Sequence, residues 1–243
     1  MASVVWRWHE SHAAASPSAL LLGVTQEIAR MRWPAGTRLV AADRSLAMIQ
    51  SLWPGDALGY PAFCAEWNAL PVRDRSHDIV IGDGAFNIMP DPDGHHALAA
   101  VIARILRPGG VMLMRVFLRP DHAEPAATAI EDLWQGRIGN FHVFKWRLAQ
   151  SLQGDSSAGV RLADIWDAWR AAVPDPQRLA ERLGWPLEVL ATIDNYRDAL
   201  ARYTFPTLSE VRALFDQRFV EQMCAFPSYE LGERCPTLVY QLR

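Results

Sequence analysis

Residues 19–43 read ALLLGVTQEIARMRWPAGTRLVAAD. The run Ala19–Gly23 is apolar and short enough for a buried strand, and its glycine turn opens a segment of helix-like content. A second apolar run, Arg38–Ala42, ends on an acid, Asp43, twenty residues after Gly23. Strand, glycine turn, helix, and strand closed by an acid is a βαβ unit, the building block of a parallel sheet.

The alternation continues outward. Further apolar runs occupy Pro61–Cys64, His77–Gly82 and Gly110–Phe117, and helical patterns occupy Ser45–Trp53 and Gly94–Leu106, with Asp43 or Ser45 capping the first and Asp93 the second. Arg107-Pro108-Gly109-Gly110 ends a helix and turns into a strand. The pattern predicts an α/β, doubly wound fold. Beyond residue 120 it becomes helical, with Ala126–Gln135, Phe141–Leu152, Leu162–Ala172 and Gln177–Leu183 predicted as helices and 120–185 as a helical cap inserted into one domain over 1–243. Strand-like content is expected at Leu187–Ile193 and Thr237–Leu242, with a helix over Glu210–Met223 between them, so that an antiparallel hairpin completes the sheet.

Composition narrows the partners. The chain has 243 residues, half of them hydrophobic, and a formal charge of −3, which gives no basic field for wrapping nucleic acid. Cys64, Cys224 and Cys235 are odd in number and far apart, fitting neither a disulfide framework nor a zinc site. No window of 18 uncharged apolar residues exists, and Glu10, two histidines and Pro17 interrupt any signal-peptide core, so a cytoplasmic chain without a membrane partner is expected. No GxSxG elbow, GxxxxGK[ST] loop or HExxH pair is present. Asp91-Pro92-Asp93 reads as a turn, His95 and His96 are adjacent and share no helix face, and no metal site is expected.

In open α/β sheets ligands bind at the carboxyl ends of the strands. Gly23, Val24 and Thr25 stand at the first such end, where backbone N–H groups can face an anionic ligand group. Asp43, followed by Arg44, stands at the second, at the spacing where a carboxylate meets ribose hydroxyls. Glu27 would repel a pyrophosphate, and the missing second and third glycines deny it close approach, so dinucleotides are disfavoured. A cationic ligand with one carboxylate suits this loop better. Glu66, Trp67 and Phe86 are candidates for contacting an adenine, and Asp83 and Gly84 form a loop that permits close backbone approach.

With LLLGVTQE (20–27), VAADRSLAMI (40–49), EWNALPV (66–72), HDIVIGDGAFNIM (77–89) and ILRPGGVMLMRVF (105–117), the chain resembles the class I S-adenosylmethionine-dependent methyltransferases over about its first half. The resemblance implies a Rossmann-like, mostly parallel seven-stranded sheet and S-adenosylmethionine as cofactor. It implies that Gly23 and its loop hold the methionine part, Asp43 the ribose, Glu66 with Trp67 the adenine, and that Asp83 through Phe86 line the methyl group. The single glycine resembles a GVTxE-type variant of the family's first loop.

Methyl transfer from a sulfonium is an in-line displacement, so positioning dominates and a base is optional. His142, Lys145, Tyr196 and Tyr203 are the acceptor-side candidates, against ordinary cap packing for each. The expected acceptor is a small molecule, and the oligomeric state is open. Two other readings stay open: a methyltransferase-like binding protein without turnover, and an NAD(P)-dependent oxidoreductase.

Overall fold

The computed structural model describes residues 1–12, 16–90, 92–155 and 157–243; Asp91, the first acid of the Asp91–Asp93 pair, lies outside them. In chain order the elements begin with α1 (Ala2–Ser11), β1 (Ser18–Leu22), α2 (Gln26–Ala29), β2 (Arg38–Asp43), α3 (Leu46–Leu52), α4 (Gly55–Leu58) and β3 (Ala62–Cys64). They continue with β4 (His77–Asp83), α5 (Asp93–Ile105) and β5 (Leu106–Arg115). Seven strands form one sheet in the order β3-β2-β1-β4-β5-β9-β8, where β8 is Phe219–Ala225 and β9 is Thr237–Leu242. The first five are parallel, and β9 runs antiparallel to both its neighbours.

Because side chains alternate across a strand, β1 serves two cores at once. Leu20 and Leu22 join Val80, Met112 and Met114 on one face, beneath Leu98 and Ile102 of α5 and Phe215 of α11 (Leu208–Phe215). Ala19 and Leu21 join Leu39, Ile79, Ile81 and Leu113 on the other, beneath Val5 and Trp8 of α1 and Ile28 of α2. Every residue of β1 is buried, and each leucine so covered contributes about 1.5–3 kcal/mol. This explains why the strand reads as a continuous apolar run and not as an alternation.

Local signals decide the element ends. The Ser45 hydroxyl accepts from Met48 N at 3.2 Å and caps α3, while Asp43 Oδ1 accepts from Ser45 N at 2.8 Å. Asp93 is the first residue of α5 and caps nothing. The Arg107–Gly110 stretch bulges within β5, so the ladder steps from His77–Leu106 to Ile79–Val111. Thr207 and Glu210 form a capping box that starts α11.

Between β5 and α11 run α6 (Ala126–Trp134), α7 (Phe141–Gln153), β6 (Val160–Arg161), α8 (Leu162–Ala172), α9 (Pro176–Leu183), α10 (Leu187–Ala191) and β7 (Arg202–Tyr203). They bury a separate core around Phe141, Phe144, Ile165, Trp169, Leu179 and Phe205. The charges of this region are tied inward. Glu124 pairs with Arg147 and, at 3.1 Å, with Arg234; Arg147 Nη2 also reaches Asp132 at 2.6 Å.

Two expectations fail here. Leu187–Ile193 is helical, passing from α10 into a 3-10 turn, because Leu190 and Ile193 at a spacing of three are the residues it buries. Glu210–Met223 is divided: α11 ends at Phe215, and Phe219–Ala225 is the edge strand β8. Glu221, Gln222 and Met223 favour a helix locally, but pairing with β9 overrides that preference.

Candidate functional site

At the carboxyl end of β1, Gly23 has φ +97°, and its N–H donates to Ala42 O at 2.8 Å. A Cβ built on Gly23 would stand 3.8 Å from Trp67 Cζ2 and 3.9 Å from Asp43 Oδ2. Three residues predicted from separate stretches of sequence therefore meet at one point. Trp67 is buried beneath the loop, its Nε1–H donating to Ala42 O at 2.7 Å. Asp43 spends Oδ1 on Ser45 N and turns Oδ2 toward Gly23. Arg44 and Glu66 are exposed, and the Cys64 thiol donates to Arg44 O at 3.3 Å. Val24 is buried, and α2, which the loop opens, is only four residues long.

The second end is built by β4 and β5. Arg115 grips Asp83 through two bonds, with Nε to Oδ1 at 2.6 Å and Nη2 to Oδ2. That hydrogen-bonded pair raises the Arg115 pKa against the opposing effect of burial. Gly84 has φ +67°, and a Cβ there would stand 2.9 Å from Phe117 Cε2, so the chain can turn over Phe117 only as glycine. Asn87 locks this turn: its Nδ2 donates to Phe117 O at 2.7 Å and Thr204 O at 2.8 Å, and its Oδ1 accepts from Phe117 N at 2.9 Å. Phe86 belongs to the sheet core, its ring edge-on to Phe215 at 5.3 Å, and it lines a different cavity of about 280 Å³.

Thr25, Glu27 and Asp83 border one cleft of about 400 Å³, whose other wall carries Arg115, Tyr229, Cys235 and Thr237. Arg115 and Thr237 are cross-strand neighbours. Burial pushes the Cys235 thiol up to about 11.

Three of the four acceptor-side candidates gather in the segment from α6 to β7, Tyr196 and Tyr203 lying beyond the expected cap of 120–185. The Tyr196 and Tyr203 hydroxyls are 3.0 Å apart, and the Lys145 ammonium lies 5.2 Å from the centre of the Tyr196 ring. Burial raises both phenols and lowers Lys145. Tyr203 packs on Trp146, which stacks on Phe117 at 4.5 Å, so an unbroken run of rings leads from this cluster to Gly84. His142 is exposed, its pKa lowered by what burial it has and by Lys145. None of the four borders the 400 Å³ cleft. Asn87, Arg115, Tyr229 and Thr237 were not predicted. Arg115 sits inside a stretch whose strand character was legible, Asn87 follows another, and Thr237 opens the strand expected at Thr237–Leu242, but Tyr229 follows the edge strand that local composition disguises.

A sheet in the order β3-β2-β1-β4-β5-β9-β8, antiparallel only through β9, with a cleft beyond the carboxyl ends of β1, β4 and β5, is the Rossmann-like class I methyltransferase fold. Residues 22–114 match the family model described as a methyltransferase domain. It is similar to the malonyl-[acyl-carrier protein] O-methyltransferase of Hahella chejuensis, 31% identical over 126 residues, 51% of this chain and 42% of that protein. The chain thus spans under half the length of that curated relative. A solved S-adenosylmethionine-dependent methyltransferase of Methanosarcina mazei superposes with a TM-score of 0.55 at 14% identity over 96% of this chain and 95% of its own. A Rhodobacter sphaeroides structure named after the zinc-dependent alcohol dehydrogenases superposes with 0.59 at 12% identity over 98% and 90%. At such identities the likeness shows the fold alone. Among the described residues no helix is long and apolar enough to cross a membrane, and no three His, Cys, Asp or Glu side chains gather to hold a metal.

Proposed function

We propose that the chain is an S-adenosylmethionine-dependent methyltransferase acting on a small acceptor, and that the segment from α6 to β7 covers the bound substrate. The convergence of Gly23, Asp43 and Trp67, continued by Thr25, Glu27 and Asp83, carries this reading. The residues fit the cofactor's chemistry. Asp43 Oδ2 faces the open side of Gly23, where a carboxylate accepts from ribose hydroxyls. Glu27, exposed on the cleft wall, suits a cation and opposes a pyrophosphate. With α2 a single turn, the loop's own N–H groups, more than a helix dipole, hold a carboxylate.

Bound S-adenosylmethionine supplies an activated methyl group on a sulfonium. The chain's part is to align the acceptor and exclude water. Asn87 and Gly84 fix the β4 turn against Phe117, and the Asp83–Arg115 pair makes a rigid floor. Three free thiols support a cytoplasmic location.

Calorimetric titration with S-adenosylmethionine, S-adenosylhomocysteine and NADH tests the reading. Binding of both adenosyl compounds is expected, and binding of NADH alone overturns it. In Asp43→Ala the affinity for S-adenosylhomocysteine falls by about tenfold or more, equivalent to about 1.4 kcal/mol. Unchanged affinity in the folded variant refutes the ribose role.

A further inference from the structure

The chain contains 23 arginines and one lysine, Lys145. Both side chains carry a positive charge, and what a lysine can do that an arginine cannot is give up its proton near neutral pH. The one lysine stands where that loss is favoured. Lys145 is half-buried on α7, and burial lowers its ammonium from the ordinary value.

Its neighbours do not restore the charge. Carboxylates on the elements packed around α7 are turned to other partners: Asp132 to Arg147 and Arg137, Asp164 to Arg161, and Asp194 to Arg197. The Arg202 guanidinium, beside Tyr203, is held by the carbonyls of Ala158 and Gly159. Lys145 itself meets the Tyr196 ring at 5.2 Å, and His142, three residues back, is the other titratable group its charge reaches. Burial raises the phenols of Tyr196 and Tyr203, so both keep their protons at neutral pH. Their hydroxyls share one proton across 3.0 Å, and the second has no protein acceptor among the described residues. An amine and a hydroxyl donor therefore occupy one half-buried cluster.

This cluster is tied to the β4 turn, on the side of the crevice assigned to the cofactor. Tyr203 packs on Trp146 at 5.3 Å, Trp146 stacks on Phe117 at 4.5 Å, and the N–H of Thr204 donates to Asn87 O at 2.8 Å. The cofactor cleft supplies no base on this side: Arg115 engages both oxygens of Asp83, and the Cys235 thiol, pushed up to about 11, stays protonated. A base for a neutral acceptor has to come from the covering segment.

We propose that Lys145, as the free amine, takes the proton of a phenolic acceptor, and that the Tyr196–Tyr203 pair donates a hydrogen bond to the acceptor's oxygen. The inference rests on the methyltransferase reading above. The rings of Trp146, Tyr203 and Phe117 suit a flat acceptor. A phenol, with an ordinary pKa near 10, is matched to a lysine as its base, which an aliphatic alcohol is not. The phenol oxygen forms the new O–C bond with a lone pair while the C–S bond breaks and the sulfur keeps its electron pair. The O–H proton passes to the Lys145 nitrogen, and the ammonium so formed later yields it to water. The products are an aryl methyl ether, a neutral thioether and one proton.

Amine-directed acylation labels only Lys145 and the Met1 amine, and peptide mass spectrometry separates the two. Labelling against pH needs no variant. Its midpoint at Lys145 is expected below the ordinary value of about 10.4, with protection by 4-methylphenol in the presence of S-adenosylhomocysteine. Turnover of methyl-labelled S-adenosylmethionine is then followed on 4-methylphenol and 4-nitrophenol, against hexylamine and hexanoate. For 4-methylphenol kcat/KM should climb with pH through the same midpoint. Lys145→Arg keeps the charge and the stem, and should cost 4-methylphenol about 100-fold or more in kcat. On 4-nitrophenol, already largely an anion at about pH 8, the loss should be only a few-fold, with the Kd for S-adenosylhomocysteine within about twofold. Tyr203→Phe should raise the phenol KM a few-fold. Equal losses on the two phenols, a labelling midpoint at or above the ordinary value, or faster turnover of hexylamine or hexanoate overturns the proposal. So does the absence of phenol turnover in protein that binds S-adenosylmethionine. Failure to bind that compound at all overturns the methyltransferase reading instead.

Discussion

Replacing Gly23 by alanine separates backbone strain from ligand contact at the centre of the crevice. At φ +97° an L residue is strained by about 1–2 kcal/mol. The shorter list of unfolded conformations open to alanine returns about 0.4–1 kcal/mol of this. The new Cβ meets nothing nearer than 3.8 Å, ordinary van der Waals contact, so no collision adds to the loss. A net destabilisation of about 1 kcal/mol follows, lowering Tm by roughly 2–4 °C for a chain of this size. The methyl group nevertheless stands between the Trp67 indole edge and Asp43 Oδ2, in the space assigned to the cofactor. S-adenosylhomocysteine affinity should fall by about tenfold or more, which is about 1.4 kcal/mol or more of binding. Calorimetric titration beside a thermal melt reads both quantities. An affinity within about twofold of the parent in a folded variant would refute the assignment of this space. A Tm loss beyond about 10 °C would refute the strain arithmetic.

Asn87→Ala strips three partners from a buried turn and should cost about 2–4 kcal/mol, read as a lower midpoint in urea, with Asn87→Asp recovering only the bond from Phe117 N. Arg147→Ala leaves Glu124 and Asp132, each with little side-chain exposure, short of a partner, and should cost about 3–5 kcal/mol by the same measurement. A loss under about 1 kcal/mol would mean that this network is solvated. Acid should weaken the same network. Burial acts to raise the Glu124 carboxyl, but hydrogen bonds from Arg147 and Arg234 prevail and hold it low, and those from Arg147 and Arg137 hold Asp132 low. Depressed carboxyls contribute stability that is present above their unfolded pKa values, near 4, and lost as pH falls through the folded ones. Melts between pH 6 and 3 should show the decline, and Arg147→Ala should flatten it.

Much of the nucleotide half was legible because its determinants are local. Gly23 needs a positive φ, Ser45 caps the next helix, and Asp43 ends its strand at a fixed distance along the chain. Such features follow from short-range backbone geometry and from strands buried on both faces, and these write apolar runs into the sequence. Phe86 shows the limit: its place after β4 suited a ligand contact, yet Phe215, more than a hundred residues away, draws the ring into the core.

What the sequence determined by itself was the parallel α/β core, with the first-loop glycine and the second-strand acid at its crevice. Only the tertiary structure decided that Phe219–Ala225 is a strand, since its pairing with β9 outweighs a local preference for helix. It also decided which side chains face the cleft. Arg115, Tyr229 and Thr237 meet there because β9 lies antiparallel beside β5 and because Gly139 and Gln150, before and within α7, hold the β8–β9 connection in place. Contacts between residues so far apart in the chain leave no periodicity or spacing in the sequence from which they could be read.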